Sequence, residues 1–166
     1  QRKTEAAIIE KKFNDELIKI NHDGNILDKD EHPRPGLKLD DLKKLKAPQL
    51  GSIVIKEILR RSKFKNDEID EVIMGQVLTA GAGQNPARQA AINAGIPISK
   101  PAHIINQVCG SGLRAVISGY QSIKLQENKI IVAGGQENMS RAPHAIFYRE
   151  YKKLDENKLV DTMLND

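Results

Sequence analysis

The stretch Asn106-Gln-Val-Cys109-Gly-Ser-Gly112-Leu-Arg-Ala-Val116 holds the only cysteine of the chain. Before it, Ala102 to Val108 reads as a short strand. Gly110-Ser111-Gly112 is a sharp turn, and Leu113 to Leu125 reads as a helix. This order puts Cys109 at a strand end, against a helix N-terminus. Unpaired backbone N–H groups and the positive end of the helix dipole favour a thiolate there. The glycines let the backbone turn tightly and leave room for a substrate to approach the sulfur. From these residues alone a second reading stays open, because a lone cysteine is also an ordinary buried hydrophobe.

Outward from this segment, residues 49–166 alternate between helical and extended patterns. Leu50, Ile53, Val54, Ile58 and Leu59 fall on one helical face, and Glu71 to Leu78 reads as a strand. Asn85-Pro86 is a helix start, with asparagine as cap and proline in the first turn. Leu113, Val116, Ile117 and Tyr120 make the apolar stripe of the helix after Cys109. Lys129 to Ala133 is an apolar strand that ends at Gly134-Gly135. Alternation of this kind predicts a layered α/β unit with a predominantly parallel sheet.

Residues 1–47 are richer in charge. Gln1 to Phe13 reads as a helix, with short strands at Glu16 to Ile20 and Gly24 to Leu27 about an Asn-His-Asp-Gly turn. Two prolines make Asp30 to Gly36 a loop, and Leu39 to Lys46 fits a short helix. The change of composition near Pro48 divides the chain into segments 1–48 and 49–166.

Composition narrows the function classes. The 166 residues suit one domain of ordinary size, and 39% hydrophobic residues suffice for a core. A single cysteine excludes an internal disulfide and points to a reducing, cytoplasmic setting. No apolar run reaches the length of a membrane span. The Gln-Arg-Lys-Thr-Glu start resembles no secretory signal, and without an initiator methionine it suggests a fragment. The net charge of +4 mixes 26 basic with 22 acidic residues, and only 4% of residues are aromatic. Mixed charge without stacking surface argues against a nucleic-acid partner. Lys43-Lys44 and Arg60-Arg61 read as solvated helix faces.

Two further segments stand in order with the cysteine: Gly81-Ala-Gly-Gln-Asn-Pro-Ala-Arg-Gln-Ala90 before it and Ile130-Ile-Val-Ala-Gly-Gly-Gln-Glu-Asn-Met-Ser-Arg-Ala-Pro-His144 after it. With Asn106 to Val116 they resemble the thiolase family, the acyl-CoA acyltransferases, and the similarity runs from Gln49 to Asp166. By this resemblance the fold is a thiolase-like layered α/β, an incomplete N-terminal half. The family sheet has five strands with its first in the middle. Residues 71–78, 102–108 and 129–133 resemble its second, third and fourth strands. Without the first, the second and fourth must pair directly or borrow a strand. Residues 1–47 resemble a later part of the family, the end of the coenzyme-binding loop region. The two pieces thus stand in reversed order, joined around Lys46-Ala-Pro-Gln49.

The resemblance makes Cys109 the nucleophile of a ping-pong acyl transfer, with its own backbone N–H as one oxyanion donor. A coenzyme A thioester is then substrate, with no permanently bound cofactor, and the parent family implies a homo-oligomer. The family's catalytic histidine and second cysteine have no counterpart in the chain. His103, on an extended strand, would lie roughly 20 Å from Cys109 at 3.3 Å per residue. His144 sits in a loop, while His22 and His32 look ordinary. In the loop that resembles the edge of the coenzyme site, His32 or Arg34 could meet a phosphate, although Asp23 stands where the family often has a basic residue. Gly81 to Pro86 lacks the third glycine of a dinucleotide loop and reads as a structural lead into a helix. No segment has metal-ligand spacing. These features imply either an acyltransferase whose isolated chain completes no full turnover, or a catalytically dead rearranged fragment that at most associates with an intact thiolase.

Overall fold

A computed structural model describes residues 10, 20–22, 25–27, 44–146 and 159–165. The chain divides into two units, Gln1–Leu42 and Lys43–Asp166.

In the first unit, β1 (Ile20–His22) pairs antiparallel with β2 (Asn25–Leu27), with Ile20 opposite Leu27. The hairpin expected from the Asn-His-Asp-Gly turn is there, but its first strand runs through Asn21 and His22. The helix expected at Gln1 to Phe13 and the loop holding His32 and Arg34 lie outside the described residues. Of the helix expected at Leu39 to Lys46, residues 44–46 are described and are not helical.

The second unit is built on three parallel strands. Its elements are α1 (Ala47–Ser62), β3 (Glu71–Gly75), α2 (Pro86–Ala94), β4 (Ala102–Ile105), α3 (Ser111–Lys124) and β5 (Ile131–Gly135). The sheet order is β4-β3-β5, with Val72 paired to both Ala102 and Val132. Strands β3 and β5 therefore pair directly, one of the two arrangements that the resemblance left open. A short antiparallel pair, β6 (His144–Ala145) and β7 (Val160–Asp161), follows.

Val72, Met74 and Val132 face α1 and α2, where Ile55, Leu59, Ile69, Ala87, Ala90 and Ile96 complete the core. On the opposite face, α3 lies against Ile131 and Ala133 through Gly119 and against Gly75 through Ser111. Helix α1 has Lys46 as its N-cap residue, whose backbone N–H donates to Gln49 Oε1 at 2.7 Å. Helix α2 is capped as its sequence predicts. Asn85 Oδ1 accepts from Arg88 N at 2.9 Å, and its Nδ2 donates to Ala102 O at 2.9 Å, tying the cap to β4.

Strand limits differ from the sequence reading for one physical reason: side-chain acceptors compete with the ladder for backbone N–H groups. After Gly75, the N–H groups of Val77 and Leu78 donate to Glu137 Oε2. After Ile105, Gln107 N donates to Ser111 Oγ and Val108 N to Asn106 Oδ1. Before β5, Lys129 N and Ile130 N donate to Asp70 Oδ2, so the ladder begins at Ile131 and takes in Gly134 and Gly135.

The predicted apolar stripes are also corrected. Helix α3 buries Ser111, Ala115 and Gly119, while Leu113 and Tyr120 are 68% and 60% exposed. Helix α1 buries Ala47, Gly51, Ser52, Ile55 and Leu59, and leaves Ile53, Val54 and Ile58 exposed. Small residues let each helix approach its neighbours closely, and dispersion contacts reward that approach. The large apolar side chains then point away.

Candidate active site

Cys109 is exposed, on the turn between β4 and α3. The turn closes by a hydrogen bond from Gly110 N to Gln107 O at 3.0 Å. Helix α3 begins at Ser111, and its N-cap residue Gly110 supplies no side-chain cap. The first N–H groups of a 14-residue helix therefore start one residue beyond the Cys109–Gly110 peptide. Such a helix end favours negative charge beside it. Exposure removes the buried-hydrophobe reading of this cysteine.

Two close approaches fix where α3 begins. A Cβ on Gly75 would lie 2.4 Å from the carbonyl carbon of Ser111. A Cβ on Gly135 would lie 3.3 Å from Gly112 Cα. The ends of β3 and β5 thus abut the first turn of α3, and any side chain at Gly75 would push it away. Gly135 serves close packing, whereas Gly134 faces open space.

Val108, just before the cysteine, has φ +47°, a conformation strained for a β-branched residue. It is held at both ends. Its N–H donates to Asn106 Oδ1 at 3.0 Å. Its carbonyl accepts from Ser111 N at 3.1 Å and from Ser111 Oγ at 2.6 Å. The same hydroxyl accepts from Gln107 N at 2.9 Å. The sequence reading passed over Ser111 and Asn106. A serine and an asparagine flanking a glycine turn are the available signal, since both side chains bond local backbone.

The histidines with described side chains lie near carboxylates. His103 Nδ1 lies 3.0 Å from Glu71 Oε1, and His144 Nε2 lies 4.0 Å from Asp161 Oδ2. Because β4 ends at Ile105 and the chain then turns, the straight-strand separation expected between His103 and Cys109 does not apply. Among the described residues no three His, Cys, Asp or Glu side chains cluster as metal ligands would.

A cavity of about 300 Å³ lies elsewhere, lined by Lys46, Gln76, Leu78, Glu137, Arg141 and Pro143 among others; Cys109 does not line it. Glu137 Oε2 accepts two backbone N–H groups, while its Oε1 is buried without a hydrogen-bond partner. Asn138 Nδ2 donates to Leu45 O at 2.7 Å and Arg141 to Lys44 O at 3.2 Å, which ties the loop after β5 to the start of α1. Gly81 and Gly83, with φ +66° and +87°, shape the loop leading into α2.

A parallel sheet between helices, with an exposed thiol on the turn that opens one of them, defines an α/β protein. Comparison with known proteins gives the family. The profile described as the thiolase N-terminal domain matches residues 43–166. An acetyl-CoA acetyltransferase of Cupriavidus necator is 56% identical over 126 residues, which are 75% of this chain and 32% of that protein. A cytosolic acetyl-CoA acetyltransferase of Rattus norvegicus is 53% identical over 117 residues, 70% of this chain and 30% of that protein. A probable acetyl-CoA acetyltransferase of Escherichia coli is 52% identical over 121 residues, 72% of this chain and 31% of that protein. The chain belongs to the thiolase family. It spans about a third of the length of these relatives.

Proposed function

We propose that Cys109 is the acyl acceptor of a thiolase-type transfer from an acyl-CoA. The observation that carries this reading is the exposed thiol beside the start of α3, where Gly110 supplies no side-chain cap. The Cys109 thiolate attacks the carbonyl carbon of the thioester. The oxyanion collapses, the bond to the coenzyme sulfur breaks, and coenzyme A leaves as a thiolate that takes a proton from water. One thioester replaces another, so no oxidant or reductant enters. The Cys109 backbone N–H is one donor to the oxyanion.

In this reading coenzyme A is a substrate held for the duration of the reaction, and His32 and Arg34 are candidates to meet its phosphates. The chain by itself completes the acyl-enzyme step and no carbon–carbon step. It has one cysteine where the family uses two, and its described histidines lie beside Glu71 and Asp161. The reversed order of segments 1–48 and 49–166, a cytoplasmic setting and a homo-oligomeric assembly belong to the same proposal. No described helix is long and apolar enough to cross a membrane.

One observation favours a second reading. The exposed large side chains of α3 suit a chain whose role is to associate with an intact thiolase. Intact mass after incubation with acetyl-CoA, beside Cys109→Ser, separates the two. The expected result is one acetyl adduct on the wild-type chain and none on the variant. A folded protein that takes no acetyl group leaves the second reading standing. Thiolysis of acetoacetyl-CoA abolished by Cys109→Ser would overturn the half-reaction limit.

A further inference from the structure

We infer that Ser111, together with Asn106, positions Cys109 for acyl transfer by holding Val108 in its left-handed conformation; this rests on the reading of Cys109 as acyl acceptor. Ser111 is 4% exposed, and its hydroxyl bridges the Asn106–Gln107 and Val108–Cys109 peptides. It accepts from Gln107 N at 2.9 Å and donates to Val108 O at 2.6 Å. Asn106 holds the remaining polar group, Val108 N–H, at 3.0 Å.

The backbone bond from Ser111 N to Val108 O at 3.1 Å closes the same turn, and the two side chains add their bonds to it. The Val108 side chain is 65% exposed, so burial does not offset the steric cost of φ +47°. A β-branched residue released from these bonds returns to negative φ. The peptide that follows would swing, and Cys109 would leave the mouth of α3. The strain persists because Asn106 and Ser111 over-determine the turn, a pattern that recurs where a reactive group must be presented. The arrangement also explains why Ser111 sits at the first position of α3 and yet caps nothing in its own helix.

The test is a cycle of four proteins: wild type, Ser111→Ala, Val108→Gly, and the double variant. Glycine adopts left-handed φ without penalty, so it needs the clamp far less. The rate of acetylation of Cys109 by acetyl-CoA should fall about tenfold in Ser111→Ala. In the Val108→Gly background the same change should cost no more than about twofold. Ser111→Thr, which keeps the hydroxyl, should restore most of the rate. Hydrogen exchange at the Gln107 amide reports the clamp directly and should speed up in Ser111→Ala. If Ser111→Ala does not fold, Asn106→Ala at an exposed position takes its place in the cycle. Equal losses in both backgrounds, or no loss in either, would overturn the inference. If acetyl-CoA leaves the wild-type thiol unmodified, the acyl-transfer reading fails. The same cycle is then read by iodoacetamide alkylation, where absence of coupling sinks the positioning role and its presence upholds it.

Discussion

A Cβ added at Gly75 would meet backbone on three sides: Ser111 C at 2.4 Å, Gly112 N at 2.5 Å and Ser111 O at 2.6 Å. No rotamer change relieves a clash with backbone, so β3 and α3 would have to part just where Cys109 is presented. Gly75→Ala should therefore destabilise the fold by about 3 kcal/mol, the upper range for overpacking. Gly134 is the internal control. It lies in the neighbouring strand with nothing within 4 Å of the added carbon. Gly134→Ala should change stability by less than about 0.5 kcal/mol. Urea denaturation of both variants checks the pair, and equal effects would refute the close approach as the cause.

At the level of elements, the join between β3 and β5 depends on one carboxylate. Asp70 Oδ2 accepts from Lys129 N at 2.8 Å and Ile130 N at 3.0 Å, and Asp70 N donates to Ile130 O at 2.8 Å. The N–H of Ile130, then that of Lys129, hold the Asp70 carboxyl below its usual range, with attraction from Lys100 adding to them. A carboxylate lowered in the folded state contributes stability above its unfolded value. That contribution is lost as pH falls through the folded value. The wild-type chain should thus melt above Asp70→Asn at neutral pH. The gap should close on acidification below about pH 4. Thermal melts from pH 7 to pH 2 measure this, and a gap independent of pH would rule out the linkage. Since Asp70 sets where β5 starts, the same substitution should loosen the amides of Ile131 and Val132 first.

For the molecule as a whole, the decisive fact is what the helices turn outward. Leu113, Val116, Tyr120 and Ile123 on α3, with Ile53, Val54 and Ile58 on α1, leave large apolar surface exposed. Within the described residues β5 is an edge strand of the three-stranded sheet. Open edges and contiguous apolar patches both promote association. The isolated chain should therefore show a thermal midpoint that is low, broad or dependent on protein concentration. Light scattering beside calorimetry at two concentrations tests it. A sharp, high melt unaffected by concentration would show that these faces are stable in water.

Much of the layout was written in local sequence. Asn85-Pro86 specified the start of α2 because a cap and a first-turn proline act within four residues. The glycine turn around Cys109 specified a strand–turn–helix junction for the same local reason. Three motifs in register carried the family. What the tertiary structure alone decided were matters of distant partners. Asp70 and Glu137 take backbone N–H groups about sixty residues away and so move the ends of β3 and β5, which periodicity cannot register. The faces that α1 and α3 bury were chosen by closeness of approach, so Gly119 and Ala115 went inward where hydrophobicity pointed to Leu113 and Tyr120. The bonds that hold Val108 in a conformation its own side chain disfavours depend on Ser111 folding back across the turn. Local sequence thus determined where α2 begins, where the strand–turn–helix junction falls and what family the chain belongs to. Which groups meet, and on which face, followed from packing and hydrogen-bond competition that exist only once the sheet has assembled.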